Sequence, residues 1–124
     1  MLYSIDSGRY MDFTPYEDEF KIWRSRLTPE QYDCIFDELN SRISGDEIHT
    51  SSWMPGTDWS GTVFEPIYSM ACLCDPDSSA KFFGLILWEV VKDHDQTWSY
   101  GRYEKNGIPI KGLTYFRLQN PPAR

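Results

Sequence analysis

Glu89 has the sequence surroundings that most favour chemistry. It stands between Leu87 and Val91 within residues 82–91, the most apolar stretch of the chain. A carboxylate there loses its hydration unless a partner replaces it, and burial raises a carboxyl pKa in the way a general acid or base requires. The structural alternative is a cross-strand ion pair with Arg102, Lys111 or Arg117. The pair is the favoured reading, because structural ion pairs perturb pKa values as active sites do.

Residues 53–61 form the best candidate binding loop. They are rich in Gly and Pro, follow no period, and offer the two indole faces of Trp53 and Trp59 beside Asp58 and Ser60. Large aromatics on loops line ligand pockets and interfaces, and they also plug cores, so both roles stay open for the two tryptophans. Asp58 is the second candidate for an acid or base.

The remaining reactive groups carry weaker patterns. Cys72 and Cys74 are separated by one residue, and zinc sites use longer spacings; on a helix, residues two apart point about 200° apart. With His49 and His94 as the other ligands available, the sequence predicts no metal site and no cofactor. Cys74 is expected to pack inward and Cys72 to sit near the surface. Cysteine–histidine catalysis has no pointer beyond the presence of both residue types. Asp93-His94-Asp95 is expected to be a solvated turn. No nucleophile elbow, phosphate-binding loop or dinucleotide fingerprint is present.

Nucleic acid is not an expected partner. Tyr100, Arg102, Tyr103, Lys105, Lys111, Tyr115, Phe116 and Arg117 interleave bases with aromatics, but Leu113 stands where an RNA-recognition strand needs a stacking aromatic. The net charge of −7 also repels phosphate. That charge is unevenly spread. Residues 1–79 hold fifteen acids against five bases, a surplus of ten; residues 80–124 hold four against seven, which restores three. Three cysteines are too few, and odd in number, for a disulfide framework, so reduced thiols in a cytoplasm are expected. No apolar run nears the length that spans a bilayer, and the first residues lack the basic-then-apolar pattern of a secretory signal.

The elements that must position these residues follow from local signals. Leu2 to Ile5 predicts a short edge strand. Thr14-Pro15-Tyr16-Glu17 has the form of a capping box and predicts a first helix from Thr14, with Tyr16, Phe20, Trp23 and Leu27 on one face. Thr28-Pro29-Glu30-Gln31 opens a second helix, with Tyr32, Ile35, Phe36, Leu39 and Ile43 as its stripe and Gly45 as its stop. A shorter helix is expected from Thr62, with Phe64, Ile67, Met70, Ala71 and Cys74 inward, ended by Asp75-Pro76-Asp77. Residues 82–91 read as a central strand covered on both faces. A second strand follows from Thr97, then Asn106-Gly107 at a tight hairpin, then a third strand to Leu118. The chain is therefore expected to be a single α+β domain over residues 1–124, with N-terminal helices packed on a C-terminal antiparallel sheet of three or four strands. Three helices leave one face of such a sheet bare, which predicts a homodimer.

Residues Phe82-Phe83-Gly84-Leu85-Ile86-Leu87-Trp88-Glu89, with Gly101-Arg102-Tyr103 and Gly112-Leu113-Thr114-Tyr115-Phe116, resemble the small proteins carried on bacterial integron gene cassettes. The resemblance implies a compact bacterial accessory protein, and no particular activity or site.

Two functions remain in view. The first is a non-enzymatic binding module, acting as a homodimer or presenting an acidic helical surface of Glu17, Asp18, Glu19, Asp33, Asp37 and Glu38 to a basic protein. The second is a small-molecule binder or enzyme with its pocket at residues 53–61 and Asp58 or Glu89 as acid or base.

Overall fold

The computed structural model describes residues 1–43, 47–49, 59–101, 104–105, 108–109 and 114–122. Among these, the chain runs β1 (Leu2–Ser4), β2 (Arg9–Met11), α1 (Glu17–Ser25), α2 (Pro29–Arg42), β3 (Glu47–His49), a π-helical turn (Ile67–Ala71) and α3 (Pro76–Asp93). It closes with β4 (Trp98–Gly101), β5 (Glu104–Lys105), β6 (Ile108–Pro109) and β7 (Thr114–Arg117). The protein is α+β.

The sheet is mixed and draws on both ends of the chain. Its order is β2-β1-β4-β7-β3, with β1 parallel to β4 and the other pairs antiparallel. This corrects the expected arrangement of helices first and an antiparallel meander last. β1 is an inner strand rather than an edge, because Leu2 opposes both Met11 and Trp98. β5 and β6 pair by themselves, with Lys105 opposite Ile108 on either side of Asn106-Gly107, as the turn chemistry predicts.

Residues 82–91 are not a strand. They lie in α3, an eighteen-residue helix whose start is set by Asp75. The Asp75 carboxylate accepts from the Asp77 amide at 3.1 Å and from the Ser78 hydroxyl at 2.8 Å, and Pro76 takes the first helical position. The residues expected to end one helix thus begin another. Phe82, Phe83, Leu85, Ile86, Leu87, Trp88, Val90 and Val91 are all buried. Lys81, Gly84, Glu89 and Lys92 keep a half-exposed stripe along one side of the helix, but within 82–91 Glu89 is its only charged member, so the apolar majority masks the period that would mark a helix.

The aromatic rings show what covers α3. Phe82 meets Phe20 and Trp23 of α1 at 5.7 and 5.6 Å between centroids. Phe83 meets Phe64 and Trp59 at 5.5 and 6.1 Å. Trp88 meets Tyr100 of β4 at 4.8 Å. Each enclosed Phe contributes about 1.5–3 kcal/mol of transfer free energy, so this helix is the axis of the core. The bare sheet face that motivated a homodimer was a consequence of the assumed strand, and that reason lapses with it.

Of the two predicted capping boxes nearest the N-terminus, only the second forms. In α2 the Gln31 amide donates to Thr28 Oγ1 at 3.1 Å, and the Thr28 amide donates to Gln31 Oε1 at 2.9 Å. α1 starts three residues later than predicted. Its N-cap is Tyr16, in the left-handed region at φ 51°, with no side-chain cap, because the Thr14 hydroxyl is engaged elsewhere. Gly45 lies outside the described residues.

Candidate functional site

Glu89 projects from α3 with its side chain 18% exposed, and its partner is Lys92, one turn further along the same helix. Lys92 Nζ lies 3.0 Å from Glu89 Oε1. The Thr14 hydroxyl donates to the same carboxylate oxygen, and Lys92 Nζ lies 3.4 Å from Thr14 Oγ1. Of the expected cross-strand partners, Arg102 and Lys111 lie outside the described residues and Arg117 reaches Gln96 at 3.3 Å; on a helix, the Glu89 carboxylate meets the lysine three residues on. Next to this cluster, Trp88 Nε1 donates to the Phe13 carbonyl at 3.0 Å, and the Phe13 ring lies 6.2 Å from the indole. Residues 13 and 14 are thereby fastened across α3. The carboxylate holds an ammonium and a hydroxyl, which makes it a structural tie rather than a free base. Its field reaches α2: burial first, and the Glu89 charge second, push the Tyr32 hydroxyl up to about 12.

Of the binding-loop candidates, Trp53 and Asp58 lie outside the described residues. Trp59 is half-buried, with its ring against Phe83, and its carbonyl accepts from the Thr62 amide at 3.1 Å and the Thr62 hydroxyl at 2.7 Å. Ser60 is exposed. Trp59 therefore does plug the core, at least in part. It does not share a site with Glu89. Positions 83 and 89 of one helix are about 9 Å apart along the axis and point about 120° apart.

The cysteines reverse their expected places. Cys72 is buried and Cys74 exposed, and burial pushes the Cys72 thiol up to about 11. A thiol held protonated is a poor nucleophile. The reason is the π-helical turn. The Cys72 amide donates to the Ile67 carbonyl at 3.0 Å, which spreads the turn over five residues and shifts every later side chain away from α-helical placement. Met70 and Cys74, expected inward, face out; Phe64, Ile67 and Ala71 are buried as expected. Asp93 and Asp95 are exposed, as expected of a solvated turn, but His94 between them is half-buried. Its Nδ1 accepts from the Gln96 amide at 3.1 Å and from Trp98 Nε1 at 3.4 Å, and its ring stands edge-on to Trp98 at 6.0 Å. Among the described residues, no three His, Cys, Asp or Glu side chains gather to hold a metal ion.

The acidic helices fall into two sets. Glu17 pairs with Lys21 at 3.0 Å, Glu19 with Lys81 at 2.9 Å, and Glu38 with Arg42 at 2.9 Å. Asp18 on α1 and Asp33 and Asp37 on α2 are exposed and enter no ion pair among the described residues.

One feature carried no sequence signal. The chain leaves the π-helical turn through two successive left-handed residues, Leu73 at φ 52° and Cys74 at φ 64°. Neither is Gly or Asn, and the left-handed region costs an ordinary residue about 1–2 kcal/mol. The Cys74 amide donates to the Tyr68 carbonyl at 2.7 Å, closing the knuckle. Leu73 is 67% exposed, and Met70 and Tyr68 beside it are also exposed. The knuckle abuts the junction of α1 and α2: Arg26 Nη1 donates to the Ala71 carbonyl at 2.7 Å, and Gln31 Nε2 reaches Met70 Sδ at 3.2 Å.

Fold and surface define an α+β protein with one enclosed helix, an acidic helical face and an apolar knuckle. Compared with models of protein families, with curated proteins and with solved structures, the chain matches none. Among the described residues no helix is long and apolar enough to cross a membrane.

Proposed function

We propose that this chain is a non-enzymatic binding module, a bacterial accessory protein of the cytoplasm, that presents the acidic faces of α1 and α2 to a basic protein. The observation that carries this reading is the set of exposed carboxylates of Asp18, Asp33 and Asp37, which no cation of the described residues neutralises. Neighbouring acids already have partners, so these three project the field that a cationic surface would meet. Such charge steers encounter and selects partners more than it adds affinity. The state of Glu89 argues in the same direction. Its carboxylate is taken up by Lys92 and Thr14, so it is not poised as the acid or base that the enzyme reading needs.

Paired affinity captures from the native host test this. One bait is the wild-type chain, and the other is the triple variant Asp18→Lys, Asp33→Lys, Asp37→Lys. The expected result is a basic protein retained by the first, released by salt and absent from the second. Identical captures on both baits would overturn the reading. A rise in melting temperature with one member of a metabolite panel, and no partner, would favour the small-molecule alternative.

A further inference from the structure

We infer that the turn from α3 to β4 is an acid-released latch: a proton on His94 Nδ1 opens it and loosens the hold of the β1–β2 hairpin on the rest of the sheet. Nothing in it depends on the binding-module reading.

His94 Nδ1 holds two donors at once. The Gln96 amide donates to it at 3.1 Å and the Trp98 indole, through a longer bond, at 3.4 Å. A ring nitrogen that accepts carries no proton, so the closed turn contains a neutral imidazole protonated on Nε2. A proton on Nδ1 turns that acceptor into a donor facing two N–H groups. Gln96 is exposed, and its amide turns to water. Trp98 is 1% exposed, and Nδ1 is the acceptor that its indole has among the described residues. An enclosed donor that loses its acceptor recovers nothing from solvent. The closed turn therefore excludes the proton, and the open turn accepts it.

The charges around the ring do not reverse this. On its own turn His94 stands between the carboxylates of Asp93 and Asp95, which favour a cation, but both residues are exposed and water screens them. The C-terminal carbonyls of α3 favour a cation too. They already hold one: the Met1 ammonium, from the start of β1, donates to the carbonyls of His94 and, at 2.9 Å, of Gln96. From β7 the Arg117 guanidinium reaches Gln96 Oε1 at 3.3 Å. Both cations oppose a third beside them.

The turn also sits at a seam. In the order β2-β1-β4-β7-β3 the hairpin meets the other described strands through β4. β1 and β4 run parallel with Leu2 opposite Trp98, and the Trp98 amide donates to the Met1 carbonyl at 2.8 Å. One residue, Trp98, thus closes the latch with its side chain and the seam with its backbone.

Indole hydrogen exchange in the full chain, followed by NMR from about pH 7.5 to about 5.5, tests this. Trp88 is the internal reference, because its indole donates at 3.0 Å to the Phe13 carbonyl, which does not titrate. Trp98→Phe identifies the Trp98 signal. An unconstrained imidazole takes its proton near about pH 6.5, and a state that binds one more proton gains about tenfold in population for each pH unit below that. The ratio of the Trp98 exchange rate to that of Trp88 is therefore expected to rise about tenfold over the lowest unit, with exchange of the Tyr3 and Tyr10 amides, corrected for its intrinsic pH dependence, rising alongside. In His94→Asn the side-chain oxygen takes the place of Nδ1 as an acceptor that holds no proton, and the ratio is expected to stay level. A level ratio in the wild type, equal acceleration of both indoles, or a rise that survives in His94→Asn would each overturn the latch; the wild-type ratio decides alone should that variant fail to fold. Acceleration of Trp98 without Tyr3 and Tyr10 would overturn its hold on the hairpin.

Discussion

The Thr14 hydroxyl donates to the Glu89 carboxylate across 75 positions of sequence, and this bond joins the entry of α1 to the enclosed helix α3. It explains two departures from local expectation at once. Thr14 does not cap α1, and Glu89 does not seek a strand. A half-buried carboxylate gains more from a hydroxyl and an ammonium than a helix start gains from one cap.

Thr14→Ala is therefore expected to destabilise the fold by about 1–2 kcal/mol, the cost of taking a hydrogen bond from a charged group with limited access to water. Glu89→Ala costs more, about 2–3 kcal/mol, because Lys92, itself only 21% exposed, loses its counter-charge. Urea unfolding followed by tryptophan fluorescence measures both. Thr14→Ser should lie close to the wild type, and a Thr14→Ala curve that overlays it would show that the bond contributes nothing.

Gly84 sits within α3, yet a Cβ built there meets nothing within 4 Å among the described residues. Glycine inside a helix costs backbone entropy without return unless something must approach closely, and no described residue does. Gly84→Ala is expected to stabilise by about 0.5–1 kcal/mol, read as a higher melting temperature with an unchanged denaturant slope. A lower melting temperature would mean that the space beside Gly84 is used by an approach this conformation does not contain.

How far the sequence discloses this molecule depends on how local each signal is. The Thr28–Gln31 box lies within four residues and was legible. So was the hairpin pairing about Asn106-Gly107, whose turn chemistry is a dipeptide. Residues 82–91 misled because most of their side chains are buried, and one half-exposed carboxylate among apolar residues does not display a helical period. The deciding signs were length and Asp75-Pro76, which mark a helix start as readily as a stop. Glu89 stood out correctly as a carboxylate in apolar company, but its partners were not readable: Lys92 becomes a neighbour only if the segment is helical, and Thr14 only through the tertiary fold. The knuckle had no marker, since Leu73 and Cys74 lack the Gly or Asn that flags a left-handed residue.

Ser99 lies in β4 with its residue fully enclosed and its hydroxyl without a hydrogen-bond partner among the described residues. An enclosed hydroxyl left unpaired forfeits its hydration and gains nothing. Ser99→Ala removes the liability and is expected to stabilise by about 1 kcal/mol in thermal or urea unfolding. Loss of stability on that substitution would show that the hydroxyl has a partner in solution, an ordered water being the simplest.

Alkaline pH should loosen this fold well before it ionises the core. Burial pushes Cys72 up to about 11 and Tyr32 up to about 12, and it also raises Tyr115, against ordinary values of 9.0 for the thiol and 10.0 for the phenols. Each group is neutral when protonated, and the native state holds its proton to higher pH than the unfolded chain does. Below pH 9 both states are protonated, and the contribution of these groups is whole. As pH rises past 9 the unfolded thiol ionises first, then the unfolded phenols near 10, so the unfolded state binds fewer protons and stability falls. Unfolding free energies measured at pH 8 and at pH 10.5 should differ in that direction, and Cys72→Ala should flatten the first part of the fall. The same protonation has a chemical readout. At pH 8 a thiol-alkylating reagent should modify the exposed Cys34 and Cys74 and spare Cys72 until the protein is unfolded. Prompt modification of Cys72 in the native protein would contradict both the burial and the raised thiol pKa from which this alkaline prediction is drawn.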